Sequence, residues 1–392
     1  MRNILIRQTP CFGLKEILGN GKTGIDIYPL NDPFTYLFFS ARYAILAGLK
    51  ALGVSSDQNI LLPSYNCGTE IDPILDRQIK IKYYKVKPNL KIDLDDLSKQ
   101  IDTSSAAILV IHYLGFPQPI EEIKKICINN RLLLIEDCAH AFLSTYKSEN
   151  LGSFGDISVF SMRKTLPIPN GGSLVINNEN LHFEDKQKRS SPLSTYFIAV
   201  ELLNNRTHHK NQSLVDRLTV FFIKIIDYFN GIMKLMLRVF KKLFPYRGLA
   251  LVHVNYYEFK KDISTWKISP LSLRIMRNLD YGHIKDIRRK NFTYLLSNLS
   301  NMSEIEVVFN KLPEGVCPLF FPLIVKDRQF YYQKLKEKGI TSYQYWKYMH
   351  AAVPWEDFPE SVFLKNNLLG LPIHQDIKQY HLDKILHVLK TS

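Results

Sequence analysis

The stretch from Glu136 to Lys164 gathers residue types that can do chemistry. It begins with two adjacent acids, Glu136 and Asp137, closing the apolar run "RLLLIED". His140 follows three residues after Asp137. Ser161 and Lys164 stand three apart in "FSMRK", the lysine twenty-seven residues beyond Asp137. A proline-braced turn and the pair Gly171–Gly172 come next. A lysine amine condenses with an aldehyde, and a carboxylate keeps a ring nitrogen protonated. Pyridoxal phosphate needs both, plus backbone N–H groups at a helix N-terminus for its phosphate. The helical run "SARYAILAGLKALG" offers that terminus at Ser40, Ala41 and Arg42, with Ser40 as N-cap and Gly53 as stop.

Each residue also has a plainer reading. A turn lysine is ordinarily solvated, an Asp at a strand end often caps a helix, and His112 and His140 suit a core as satisfied histidines. Two competing motifs fail. Ser161–Lys164 spells SxxK, but the Lys22-Thr23-Gly24 triplet precedes it and no Ser-Asp-Asn triplet lies between SxxK and a later KTG. "NGKTG" lacks the first glycine of a phosphate loop, since position 16 is Glu16.

The elements that must position these groups alternate between helix and strand over residues 40–180. Strand-like runs are "NILLP" (59–63), 80–86, "AAILVIHYLG" (106–115), "RLLLIED", "DISVFS" and "GSLVIN". Helical patterns fall in "IDLDDLSKQI" and "PIEEIKKICINN". Repeated βαβ units predict a mainly parallel sheet with helices on both faces, and ligands at the carboxyl ends of its strands. Residues 185–262 break this rhythm. Within them, 216–244 spaces Arg217, Lys224, Asp227, Lys234, Arg238 and Lys241 along one helical face opposite an apolar one. That face fits packing on the body or a dimer interface, or a basic helix resting on anionic lipid. It is too often charged to span a bilayer. Residues 266–392 read as α+β, with a long helix over 272–299, a strand in "PLFFPLIV" (318–325) and a helix closed by Gly339.

Length 392 with 46% hydrophobic and 22% charged residues describes a globular protein of two or more domains. Net charge of +14 suits an anionic partner: a phosphorylated substrate, nucleic acid or an acidic membrane. Five widely spaced cysteines without a CxxC pair argue against a disulfide framework or zinc site, and for a reducing compartment. The N-terminal apolar run is too short for a signal peptide, so a cytoplasmic location is expected, with peripheral contact at the inner membrane face if 216–244 meets lipid.

Together the motifs resemble the DegT/DnrJ/StrS-type aminotransferases, fold type I pyridoxal-phosphate enzymes acting on nucleotide-linked keto sugars. The resemblance rests on "ALGVSSDQNILLPSYNCG", "VIHYLGFP", "LIEDCAHAF", "LGSFGDISVFS…K…GG", "GITSYQYW" and "LGLPIHQDI". It covers about 35–180 and 266–390. It implies a three-layer α/β fold with a mainly parallel central sheet and a smaller α+β C-terminal domain. The expected division is a cofactor-binding domain over 1–184, a helical insertion or interface segment over 185–262, and a small domain over 263–392. Lys164 would carry the cofactor and shuttle the proton. Asp137 would hold the ring nitrogen, and His140 would meet the phenolic oxygen. Ser161 and the Ser40–Ala41–Arg42 turn would bind the phosphate. Tyr65 would stack on the ring, although strict alignment puts Cys67 there. A homodimer is implied, with an amino acid such as glutamate as donor, a nucleotide sugar as acceptor, and no nucleic acid or metal. The chain departs from the commoner pattern in two places: only three residues separate Ser161 from Lys164, and Ser-Ala-Arg replaces Ser-Gly-Thr. Those departures keep open a catalytically reduced homologue acting as a scaffold in polysaccharide assembly.

Overall fold

A computed structural model describes residues 5–19, 21, 25–204, 231, 236, 258–300, 302 and 304–391. Nine strands precede residue 180: β1 (Thr35–Phe38), β2 (Asn59–Pro63), β3 (Lys80–Tyr84), β4 (Ser105–Ile111), β5 (Leu133–Asp137), β6 (Thr145–Tyr146), β7 (Glu149–Asn150), β8 (Ile157–Phe160) and β9 (Gly172–Ile176). Seven of them form one sheet in the order β1-β9-β8-β5-β4-β2-β3, and β6–β7 is a small hairpin. β3, β2, β4, β5 and β8 pair in parallel, while β9 runs antiparallel to both β8 and β1. Every residue of β2, β8 and β9 is buried. That explains why these strands read as unbroken apolar runs, as strands covered on both faces must.

The covering helices include α1 (Leu14–Leu18), α2 (Ala41–Ala51), α3 (Ile71–Asp76), α4 (Leu94–Gln100), α5 (Ile120–Asn130) and α6 (Pro192–Asn204). α2 is the most deeply set, with residues 42–49 all buried. Its own Gly48 lets it lie on Ile157 and Leu174 of the sheet. It ends near Gly53, whose φ of +67° needs a residue without Cβ strain.

The C-terminal part comprises α7 (Pro270–Met276), α8 (Tyr281–Leu299), β10 (Ile305–Val307), β11 (Phe321–Val325), α9 (Arg328–Glu337), β12 (Tyr343–Gln344), α10 (Pro359–Asn367), β13 (Leu368–Leu371) and α11 (Gln379–Lys390). Its four strands make an antiparallel sheet in the order β10-β11-β13-β12. The single long helix expected over 272–299 is in fact two. The chain breaks after Met276, and the Asp280 carboxylate accepts the His283 amide to start α8 afresh. An Asp followed by Tyr-Gly is a cap signal that an apolar count alone passes over. The strand expected over 318–325 begins only at Phe321, because the Leu319 amide bonds the Leu114 carbonyl and the Pro318 and Leu319 carbonyls take Arg288 instead of a neighbouring strand.

One buried cluster runs from Phe38, Tyr65 and Leu109 through Phe292 and Phe321 to Leu371, so both sheets share apolar packing. Apart from Gly231 and Met236, the segment 216–244 lies outside the described residues, and with it both readings of its amphipathic face. Among the described residues no helix is long and apolar enough to cross a membrane.

Candidate active site

β8 ends at Phe160, and one 3-10 turn (Met162–Lys164) follows at once. The Ser161 carbonyl accepts the Lys164 amide at 3.0 Å. In a 3-10 turn residues i and i+3 eclipse, so the short spacing sets Ser161 and Lys164 on the same side. Ser161 is 5% exposed, and its hydroxyl makes no capping bond within the turn. Lys164 itself is half-buried. The turn is held from the C-terminal part: the Thr165 carbonyl takes Arg288 Nη2 at 3.1 Å and Gln375 Nε2 at 3.5 Å. Arg288 is fully buried and also donates to the carbonyls of Pro318 and Leu319.

Asp137 closes β5, the strand beside β8, and is 3% exposed. One of its oxygens accepts the Ala139 amide at 2.8 Å. Burial above all, and then the charge on Glu70, push its carboxyl up to about 7, while the Lys164 charge pulls the other way. His140 is 4% exposed. Its Nδ1 accepts the Leu114 amide at 3.3 Å, which leaves the proton on Nε2. Burial, helped by the Lys164 charge, holds it well below the usual histidine range. It is therefore a neutral donor at neutral pH. Lys164 thus acts electrostatically on Asp137, on His140 and on Cys67, whose thiol burial pushes up to about 12.

The N-terminus of α2 reaches the same end of the sheet through the glycine pair. The Gly171 amide bonds the Phe39 carbonyl at 3.0 Å. A Cβ on Gly172 would be driven into the Ala41 amide nitrogen and the Ser40 carbonyl carbon. Gly172 is glycine because α2 starts against it. Ser40 has the extended backbone of an N-cap, yet its hydroxyl caps nothing. The first amides of a helix have no intrahelical acceptor, so Ala41 and Arg42 offer N–H groups there. The Arg42 guanidinium turns away: it is 5% exposed and lies 3.7 Å from Asp72 on α3.

Tyr65, the residue expected to stack on the ring, sits among aromatic side chains. It packs on Tyr113 at 5.8 Å and Trp346 at 4.7 Å between centroids, and the charged neighbour of its phenol is Arg328. Cys67, two residues on, is the one that feels Lys164.

Two residues of this region escape sequence reasoning. Trp346, with φ +43°, brings its ring to 5.5 Å from His140 at 30°, and nothing in "SYQYWKYMH" announces that placement. Glu70 is buried, and its charge acts on Asp137. Its position just past the end of β2, where ligands gather, was the available signal. His112, Glu136 and Cys138 also converge, with ligand atoms within 4.8 Å of one another. Glu136 is already engaged there: it accepts the Gly152, Phe154 and Gly155 amides and meets His112 Nε2 at 3.0 Å. This network ties β4 and β5 to the loop before β8.

Comparisons with known proteins bear on the fold and the family. The fold is shared with solved aminotransferases. One is TlmJ from Streptoalloteichus hindustanus, 18% identical, TM-score 0.64, over 91% of this chain and 85% of that one. Another is Spr1654 from Streptococcus pneumoniae in its PLP form, 16% identical, TM-score 0.67, over 99% and 98%. By sequence, the chain is 31% identical over 149 residues to GDP-perosamine synthase of Escherichia coli O157:H7, covering 36% of this chain and 39% of that protein. It is 25% identical over 139 residues to GDP-perosamine synthase of Vibrio cholerae, covering 35% and 38%. The chain thus matches about two fifths of the length of these curated relatives. Residues 37–191, which hold Ser40, Asp137, His140 and Lys164, match the model of the DegT/DnrJ/EryC1/StrS aminotransferase family.

Proposed function

We propose that the protein is a pyridoxal-phosphate-dependent aminotransferase that moves an amino group from an amino acid, glutamate being the expected donor, to a keto sugar carried on a nucleotide. The observation that carries this reading is the convergence of Lys164, Asp137 and the neutral His140 at the carboxyl ends of β5 and β8. The donor set fits the cofactor. Asp137 accepts one backbone amide and keeps acceptor capacity for a ring N–H. His140 Nε2–H suits a phenolic oxygen. The uncapped Ser40 hydroxyl, the Ala41 and Arg42 amides and the Ser161 hydroxyl suit a phosphate. Bound there, pyridoxal phosphate supplies the electron sink that lets an amino group leave one carbon and join another. The chain's own residues do the rest. Lys164 holds the cofactor and, when released, carries the proton to and from the substrate carbon. Asp137 keeps the ring nitrogen charged through a charge-assisted bond. His140 orients the ring without adding charge. Trp346 and Tyr65 exclude water from the floor of the site.

The names of the sequence relatives support a nucleotide sugar as acceptor, and the +14 charge suits its pyrophosphate. None of the five cysteines is joined in a disulfide, in keeping with a cytoplasmic enzyme. A homodimer is part of the same reading, as is a division near residues 184 and 262. The scaffold alternative is not favoured, since the groups a cofactor needs are present.

The test is the visible absorbance of the purified chain with added pyridoxal phosphate, in wild type and Lys164→Ala, followed by amine transfer from glutamate to a panel of nucleotide keto sugars. The wild type should develop the band of the bound cofactor and the variant should not. A wild type without that band, or a variant that keeps it, would refute the role of Lys164.

A further inference from the structure

A cavity of about 130 Å³ lies between the β6–β7 hairpin, the end of β8 and the first turns of α8. Leu143, Leu151 and Phe160 give it an apolar wall. Tyr28 and Tyr281 add ring surface, because their hydroxyls are engaged elsewhere. Tyr28 donates to the Gly152 carbonyl at 2.7 Å and Tyr281 to the Met276 carbonyl at 2.8 Å. The C-terminal part fixes the wall in place: the Cys317 amide donates to Ser144 Oγ at 2.9 Å, and the Thr145 amide to the Gly315 carbonyl at 3.0 Å. Neither Lys164, Asp137, His140 nor Ser161 lines this space.

Two of the lining side chains are donors without a partner. Lys285, half-buried on α8, makes no ion pair or hydrogen bond among the described residues. The side-chain amide of Asn150, at the end of β7, makes none either. No acid lines the cavity among the described residues. Burial is the main force that lowers the Lys285 ammonium, and Arg289 adds to it, against the pull of Cys317 and Asp286. Arg289 is itself tied to the Pro313 and Val316 carbonyls, at 2.9 and 2.7 Å. A partly desolvated charge that lacks a partner is unfavourable, and an anion placed beside it offsets that cost. An apolar cavity of ~150 Å³ holds a molecule the size of benzene, so this one has room for about six non-hydrogen atoms.

We propose that this cavity is a binding site for a short-chain monocarboxylate, with the carboxylate on Lys285 and the Asn150 amide and the hydrocarbon tail against Leu143, Leu151 and Phe160. An apolar wall facing a small number of polar groups selects a molecule with one charged end and one apolar end. A bare inorganic anion would leave the wall uncovered, and a dicarboxylate would bring a second charge against it unpaired. The site stands apart from the aminotransferase reading, but it adjoins the lysine turn on two sides. Phe160 directly precedes Ser161, and Arg288, three residues on from Lys285, holds the Thr165 carbonyl. Occupancy therefore bears on the two elements that set the Lys164 turn.

Butanoate is a probe of the right size. A ligand-observed NMR titration of the purified protein should show saturation transfer to its tail protons and a dissociation constant on the order of 1 mM. Lys285→Met, which keeps the stem and loses the charge, should weaken binding by at least about tenfold, the loss of a charge-assisted hydrogen bond. Asn150→Ala, at an exposed position, should weaken it several-fold and serves if Lys285→Met misfolds by circular dichroism. Butyramide, which has the same shape without the charge, should bind at least about tenfold more weakly than butanoate. No saturation transfer at about ten times the expected dissociation constant overturns the proposal. So does wild-type affinity in folded Lys285→Met or in Asn150→Ala, and so does equal binding of butyramide. Inorganic phosphate that displaces butanoate as well as propanoate does would mark a general anion site and overturn the carboxylate assignment. None of these readouts needs pyridoxal phosphate, so they hold or fail separately from the aminotransferase reading.

Discussion

Gly172→Ala adds one methyl group at the point where β9 meets the start of α2. That methyl would overlap the Ala41 amide nitrogen, the Ser40 carbonyl carbon and the Ala41 Cα, all backbone atoms that no rotamer change can clear. Restoring contact distance demands a movement on the order of 1 Å. Overpacking of this kind costs about 1–3 kcal/mol of stability. The larger effect is expected on the turn proposed to bind phosphate, because displacing a positioned group by ~1 Å can cost on the order of 100-fold. The control is Gly48→Ala on the same helix. There the added methyl meets only the terminal carbons of Ile157 and Leu174, which can turn aside. Thermal denaturation and equilibrium binding of pyridoxal phosphate should be measured for both variants, with circular dichroism to verify the fold. Gly172→Ala should lose at least about tenfold in cofactor affinity, and Gly48→Ala should bind nearly as wild type. Wild-type affinity in a folded Gly172→Ala protein would refute the placement of the phosphate at the start of α2.

Two further expectations concern single side chains. His140→Gln should keep the cofactor band, since a neutral amide N–H can replace the neutral Nε2–H, and His140→Leu should weaken binding by about tenfold, roughly one lost hydrogen bond; equal spectra for the two variants would count against donation from His140. Burial is the main force that lowers Lys365, to about 8, so between that value and its ordinary 10.5 the unfolded chain holds more protons than the folded one. Stability gains from this residue as pH rises through that window, and urea midpoints of Lys365→Met should show a shallower rise than wild type.

The sheet was largely legible in the sequence, because parallel strands buried on both faces leave runs such as "AAILVI" that alternate with amphipathic helices. Asp137 and Lys164 could be proposed for the same reason: each stands at the end of such a run. Glu70 is easier to miss, since an acid ahead of a short helix reads first as a cap, which it does not make. Tyr65 and Cys67 alternate on a loop whose register no periodicity fixes, so the choice between them needed coordinates. Trp346 depends on a left-handed backbone at a bulky residue, which sequence preference argues against. The break between α7 and α8 was obscured by apolar residues that keep helical spacing through both.

The buried guanidinium of Arg288 ties α8 to the carbonyl beside Lys164 and to the chain entering β11. Its consequence is for dissection of the gene. A fragment ending near residue 262 would contain Lys164, Asp137 and the start of α2, yet expose the Thr165 carbonyl and the apolar surface now covered by Phe292 and Phe321. The complementary fragment would carry an arginine without its acceptor across the seam. Neither piece is a self-sufficient module, and the two are better regarded as halves of one folding unit than as a catalytic domain with a detachable cover.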